Sequence, residues 1–290
     1  MTTKSNCPLV SVILATYNGE VFVREQIESI IQQTYPNIEI IIIDDCSTDN
    51  TLNILKGIAE EYKICKVISN SENIGYIKNF EKGMALAKGD FIAPADQDDI
   101  WLPEKIEILV NSVNEKTNIV YCDSLLVNFR GESLGKKLSD IKQLTNFDNC
   151  IMFAIGNSAP GHAMLIKRKV AFDSFPFPSM IPHDHWLGFI ASLTGSVKFV
   201  NQVLVHYRQH SSSVFGATKS VNETGKLVRV KKIKISTKVR LSRIRERAYL
   251  MYNKCPDILV NEKEFYRRLV ASYKSFSLLN NIKRTILFLF

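Results

Sequence analysis

Three carboxylates stand within four residues at Asp96-Gln97-Asp98-Asp99, directly after the apolar run Phe91-Ile92-Ala93. Carboxylates that close repel one another unless a proton or a cation is shared between them. A hard divalent ion, Mg2+ or Mn2+, shared with the phosphates of a substrate, accounts for that density better than a helix cap. Two more polar clusters follow apolar runs in the same way: Thr16-Tyr17-Asn18 after Leu9–Ala15, and Asp44-Asp45 after Ile38–Ile43. Each of these alone reads as a turn, and Ser47 and Asp49 read as turn or cap residues. No G-x-G-x-x-G follows a strand and no G-x-x-x-x-G-K-[ST] occurs, so dinucleotide and P-loop chemistry are unsupported. A nucleoside diphosphate held through a metal on carboxylates remains.

The elements that must position these clusters alternate between strand and helix. Leu9–Ala15, Ile38–Ile43, Cys65–Ser69 and Asp90–Ala93 are short apolar runs with β-branched residues, as expected of strands. Between them, Phe22, Gln26, Ile27, Ile30 and Ile31 recur at helical spacing, as do Leu52, Leu55, Ile58 and Ala59, and Gly75–Lys88 forms a third helix. Such units predict a mostly parallel α/β sheet between layers of helices. Ligands bind outside the carboxyl ends of such strands, which gathers the three clusters along one edge. Further on, the pattern predicts a helix from Pro103 to about Glu115 and a hairpin pairing Ile119–Cys122 with Leu125–Phe129. It then predicts a helix at Trp186–Leu193, a strand at Val203–Tyr207, and basic helices from about Lys226 to Tyr252 and from Glu262 to Phe290.

With 290 residues, 46% hydrophobic and 23% charged, the chain is neither disordered nor collagen-like. Its net charge of +8 is unevenly spread. Residues 1–218 hold 19 Lys+Arg against 24 Asp+Glu, and residues 219–290 hold 18 against 5. The expected organisation is a catalytic domain over 1–218 with a basic helical C-terminal extension over 219–290. The six cysteines are scattered without a Cys-x-x-Cys pair, which predicts reduced thiols and a cytoplasmic location, as does the lack of an apolar signal core. A basic amphipathic tail suits the anionic inner face of a cell membrane. The same tail is also consistent with packing on the catalytic domain or on a second copy of the chain, as a homo-oligomer. No helix-turn-helix, zinc or RNP pattern supports specific nucleic-acid binding. A nucleotidyltransferase would use the same carboxylate-metal logic, but the Gly-rich loop it needs for a triphosphate is missing.

Five ordered motifs resemble the inverting family 2 glycosyltransferases. They are Ser11-Val-Ile-Leu-Ala-Thr-Tyr-Asn-Gly19, Gln33-Thr-Tyr-Pro36, Ile43-Asp-Asp-Cys-Ser-Thr-Asp-Asn-Thr51, Asn73-Ile-Gly75 and Ala95-Asp-Gln-Asp-Asp-Ile-Trp-Leu-Pro103. Together with His183-Asp-His-Trp186 and Val205-His-Tyr-Arg-Gln-His210, the Asp-Gln-Asp-Asp-Ile-Trp form is most similar to the bacterial rhamnosyltransferase-like branch. The resemblance covers roughly residues 8–210 and implies a GT-A fold. It implies transfer of a sugar such as rhamnose from a dTDP- or UDP-sugar to a lipid-linked glycan acceptor of the cell envelope. It also implies residue roles. Thr16, Tyr17 and Asn18 line the base and ribose pocket, with Glu20 beside them. Asp45, or its neighbour Asp44, accepts the imide N–H of uracil or thymine. Lys78 lies near the diphosphate; Asp96 and Gln97 lie at the donor. Asp98 is the direct metal ligand, joined by Asp96 and by His210, with Arg208 at the diphosphate. Asp184 is the general base, with His183 and His185 as alternatives and helix capping as its bland role. His162 faces the acceptor, and Trp101 and Trp186 are packing anchors or sugar platforms.

Overall fold

The computed structural model describes residues 7–157, 159–210, 219–221, 227–229, 237–273 and 287. Strand β1 (Val10–Thr16) is followed by helix α1 (Val23–Ile31), β2 (Ile38–Asp44), α2 (Thr51–Glu61), β3 (Cys65–Ser69), α3 (Tyr76–Ala85) and β4 (Phe91–Ala95). β1 pairs in parallel with β2 and β4, and β2 with β3, as the strand-helix repeat predicts. Alternate side chains of a strand face opposite ways. Ile13, Ile41 and Ile43 therefore enter one core, and Val12, Leu14, Ile40 and Ile42 the other. The unbroken isoleucine run of β2 is a strand covered on both faces.

Past β4 the parallel pattern ends. β5 (Ile100–Trp101) and α4 (Lys105–Asn111) lead into β6 (Thr117–Val127) and β7 (Ser133–Lys137). α5 (Met152–Ile155), β8 (Met164–Lys167), α6 (Arg168–Asp173), α7 (His183–Thr194) and β9 (Ser196–Arg208) follow. The sheet order is β3-β2-β1-β4-β8-β6-β9-β5, with β7 on β6. β8 runs antiparallel between β4 and β6, so the sheet is mixed rather than mostly parallel. The expected hairpin at Ile119–Phe129 is instead one 11-residue strand. Asp123-Ser124, which reads as a turn, is absorbed by register shifts against β9, and the buried Asp123 carboxylate accepts bonds from the Ser139 N–H (3.1 Å) and hydroxyl (2.6 Å).

At the C-terminus, β10 (Lys219–Val221) and β11 (Leu227–Arg229) pair antiparallel, where a basic helix was expected from Lys226. Valines alternating with basic residues have the period of a strand. Helix α8 (Thr237–Lys254) and α9 (Val260–Ser272) follow. Their apolar faces lie on the catalytic body. Ala248, Met251, Tyr266 and Leu269 join the core that contains Phe153 and Phe189, and the Tyr266 hydroxyl donates to the Cys150 carbonyl at 2.6 Å. Of the helix expected at Glu262–Phe290, the part beyond Tyr273 lies outside the described residues except for Leu287.

Candidate functional site

The chain leaves β1 and β2 through two left-handed residues, Asn18 (φ 48°) and Cys46 (φ 63°). Such conformations cost about 1–3 kcal/mol each in a non-glycine residue and persist only where neighbours fix them. Here the two turns clasp each other. The Asn18 N–H donates to Ser47 Oγ at 2.9 Å, and Asn18 Oδ1 accepts from the Thr48 N–H at 2.8 Å. Glu20 accepts from the Asn50 N–H at 2.8 Å, at the start of α2. Gln97 grips the Tyr17 backbone on both sides, accepting from its N–H at 2.8 Å and donating to its carbonyl at 3.0 Å. Its amide therefore holds Tyr17 in place rather than reaching a donor. Tyr17 is 46% exposed beside this clasp.

Thr16 is buried, its hydroxyl donating to Asp44 at 3.1 Å. The two aspartates that the sequence leaves as alternatives differ sharply. Asp44 accepts from Thr16, from the Ser47 N–H and hydroxyl, and from the Ser69 hydroxyl, so both oxygens are filled. Asp45 accepts from Asn70 Nδ2 (2.7 Å) and the Ile74 N–H (2.9 Å) on one oxygen, but only from the Gly75 N–H (2.9 Å) on the other. A carboxylate offers about four lone-pair sites, so Asp45 keeps one and Asp44 keeps none. Gly75 takes φ 80°, which aims its N–H at Asp45 as α3 begins. Lys78, on the first turn of α3, is paired with Glu81 at 2.9 Å.

The carboxylate loop between β4 and β5 is held from β9. Arg208 is 2% exposed; its backbone N–H donates to Asp99 at 3.1 Å and its Nε to the Asp98 carbonyl at 2.8 Å. Its two terminal nitrogens donate to the Phe129 carbonyl and to Glu25, each at 2.6 Å. Arg208 is therefore a strut for the loop and not a contact to the diphosphate, because its guanidinium is buried and engaged. His210 Nε2 stands 2.7 Å from Asp98 Oδ2, at hydrogen-bond distance.

A second grouping was not foreseen in full. Ligand atoms of Asp96, Asp99 and His162 lie within 4.8 Å of one another. His162 is 4% exposed, stacked on Tyr207 (4.3 Å) and bonded to the Ser124 hydroxyl at 2.9 Å, so it turns inward to the carboxylates rather than outward to an acceptor. Asp99 Oδ2 is buried with no hydrogen-bond partner. Burial first, then Asp98 and Asp184, raise the Asp96 carboxyl to about 7, and burial with Asp98 and Asp96 raises Asp99 well above the usual range. An orphaned carboxylate oxygen, its neighbours strained against ionisation, and one imidazole fit a divalent cation. A bound cation would take the place of those protons.

The start of α7 adds a further carboxylate. Asp184 lies in its first turn, after the capping residue Pro182, and accepts the His185 N–H at 2.7 Å. It is thus not the N-cap. Its charge reaches Asp96 and also Tyr76, whose phenol is pushed up to about 12 by burial, Asp184 and Asp96. Tyr76 therefore stands beside both carboxylates, a placement that one tyrosine opening a helix does not signal. His183 is buried, stacked on Phe80 at 4.1 Å, and His185 donates to the Phe153 carbonyl at 2.6 Å; both histidines face the core. Trp101 (2% exposed) and Trp186 (5%) are likewise packing anchors.

Residues 11–173, more than half of the chain, match the family described as Glycosyl transferase family 2. An uncharacterized glycosyltransferase of Haemophilus influenzae is 34% identical over 77% of this chain and 73% of its own length. A dTDP-rhamnosyl transferase of Shigella flexneri is 31% identical over 70% of this chain and 74% of its own. Among solved structures, S. aureus TarS in complex with UDP-GlcNAc aligns with a TM-score of 0.65 at 18% identity, covering 94% of this chain and 75% of that one. A mannosyltransferase from Pyrobaculum calidifontis, in complex with GDP-Man and Mn2+, aligns with a TM-score of 0.57 at 16% identity, covering 98% and 80%. The mixed sheet with its flanking helices is the GT-A fold.

Proposed function

The chain belongs to glycosyl transferase family 2, and on that premise we propose that it moves a sugar, with inversion, from a dTDP- or UDP-sugar to a hydroxyl of a lipid-linked surface glycan. The observation that carries this reading is a pair of carboxylates. The Asp184 and Asp96 carboxylates are close enough to act on each other's charge, and both act on Tyr76. In the proposed reaction Tyr17 offers its exposed ring to the base, and Asp45 takes the imide N–H on its remaining lone pair. Asp98 with His210, and Asp96 and Asp99 with His162, would hold the cation. The chemistry a divalent ion supplies when bound is neutralisation of the charge that builds on the departing diphosphate. A set mixing carboxylates with imidazole favours Mn2+ over Mg2+.

Asp184 takes the acceptor hydroxyl's proton as that oxygen attacks the anomeric carbon from behind, a role that contributes roughly 10²–10⁴-fold. The likeness to the Shigella flexneri enzyme supports a dTDP-rhamnose donor, and the fold shared with the UDP-GlcNAc complex supports a UDP-hexose as the alternative. No described helix is long and apolar enough to cross a membrane. Exposed Arg243, Arg245 and Lys254 on α8 support docking on anionic lipid at about 1 kcal/mol per charge. The functional division we propose is a catalytic unit over 1–218 with 219–290 as the docking extension.

Proton NMR of the glycoside formed from a synthetic lipid-linked acceptor tests this reading. The anomeric configuration should be opposite to that of the donor, and Asp184→Asn should give no product. Retained configuration would remove the single-displacement mechanism.

A further inference from the structure

The segment between β7 and α5 is fastened to β6 at either end. Ser139 bonds the buried Asp123 carboxylate through its N–H (3.1 Å) and its hydroxyl (2.6 Å). Further on, the Tyr121 hydroxyl donates to the Thr145 carbonyl at 2.7 Å and accepts from the Thr145 N–H at 2.8 Å. Between these anchors the backbone turns, the Ile141 and Lys142 N–H groups donating to the Leu138 carbonyl at 3.1 and 2.9 Å. Ile141, Lys142 and Gln143 are exposed there, Ile141 at 50%. The first anchor adjoins Ser124, whose hydroxyl bonds His162 at 2.9 Å, so the strap stands near the candidate site.

Lys142 is close enough to the proposed base to feel its charge. Asp184 raises the Lys142 pKa while the surrounding protein lowers it, and the ammonium acts in turn on His162 and His185. Among the described residues the ammonium has neither a hydrogen bond nor an ion pair. A lysine carried on a strap that is anchored at both ends can take up an anion at little ordering cost. The donor's diphosphate is already assigned to the Asp96–Asp99 loop. The other reactant is the acceptor, whose hydroxyl must come to Asp184. We infer that Lys142 is a specificity-determining residue that binds a phosphate group on the acceptor. An ammonium makes a charge-assisted hydrogen bond to such a group, and exposed Ile141 offers apolar surface to the alkyl chain beyond it. This inference rests on the transfer reaction proposed above, with Asp184 as its base.

Full-length protein should be assayed with two synthetic acceptors carrying the same sugar, an alkyl diphosphate glycoside and the uncharged alkyl glycoside. dTDP-rhamnose and UDP-GlcNAc, each with Mn2+, serve as donors. Wild type should favour the charged acceptor in kcat/KM. In Lys142→Gln the ratio of kcat/KM for the charged acceptor to that for the neutral one should fall roughly tenfold or more, through KM. That is the size expected when one hydrogen bond to a charged group is lost. Lys142→Arg should keep most of the preference, and Lys142→Glu should lower it further. Calorimetry of dTDP and UDP with Mn2+ separates the two sources of phosphate. No preference in wild type, or a ratio unmoved in Lys142→Gln, overturns the inference. So does a fall in kcat for both acceptors alike, which would mean that the ammonium acts on the base. A loss of nucleotide affinity as large as the loss of acceptor preference overturns it too, by placing the ammonium on the donor. Each of these outcomes leaves the transfer reaction standing, whereas wild type that transfers to neither acceptor overturns that reaction itself.

Discussion

His185 illustrates how a side chain beside the proposed base is fixed by burial rather than by chemistry. Its ring is 5% exposed and donates to the Phe153 carbonyl, and burial pushes its pKa down to about 4. Between that value and the ordinary 6.5, the unfolded chain binds a proton that the folded chain does not. Stability from this group is therefore complete above pH 6.5 and is lost as pH falls towards 4, by on the order of 3 kcal/mol. Urea melts from pH 7 to pH 4 should show this decline, and His185→Gln should reduce its slope by about one proton. An unchanged slope would mean that the imidazole is not held neutral. The Asp96–Asp99 density and the nearness of His210 to Asp98 were legible beforehand, whereas Asp184, expected ahead of a helix starting at Trp186, lies inside the first turn of α7. Side-chain engagement was not legible. Sequence spacing cannot tell Asp45, which keeps a lone pair, from Asp44, which has none. It also cannot show that Arg208 and Gln97 are fully engaged with protein atoms.

Among the elements, the short turn before β8 does the joining. Because β8 runs antiparallel to β4, Gly161-His162-Ala163 arrives at the carboxyl end of β4, beside the acidic loop. Gly161 also meets α7: a Cβ there would stand 2.6 Å from His183 Nε2 and 3.5 Å from the Asp184 Cβ. His183 is stacked on Phe80 and has little room to yield. Gly161→Ala should therefore displace the first turn of α7, costing about 1–3 kcal/mol of stability through overpacking. It should also lower kcat by roughly tenfold or more through misplacement of Asp184. Thermal melts and steady-state kinetics check both, and wild-type values would show that α7 does not depend on the turn. The first four strands were readable from their apolar runs, because local sequence dictates each one. The insertion of β8 was not readable, since long-range pairing leaves no periodic trace in a four-residue strand. The strand through Asp123-Ser124 was hidden by residue types that favour turns.

For the whole molecule, the question is whether the basic C-terminal part is an appendage or part of the core. Average charge marks it as distinct, but Met251 of α8 is fully buried in the same core as Phe153 and Phe189. Met251→Ala should cost about 2–5 kcal/mol in a single cooperative urea transition. A separate low-urea phase would instead mark an independently folding extension. Amphipathicity was visible in the sequence, whereas what it packs against was not, because a membrane and a protein core select the same apolar stripe. The central claim, that acidic side chains on the sheet's edge bind a nucleoside diphosphate through a divalent cation, is most directly tested by isothermal titration calorimetry of dTDP and UDP with and without Mn2+. At least one nucleotide should bind only when the cation is present, should lose that binding in Asp98→Asn, and should keep it in Asp184→Asn. Equal affinity without the cation, or undiminished binding by Asp98→Asn, would contradict the account.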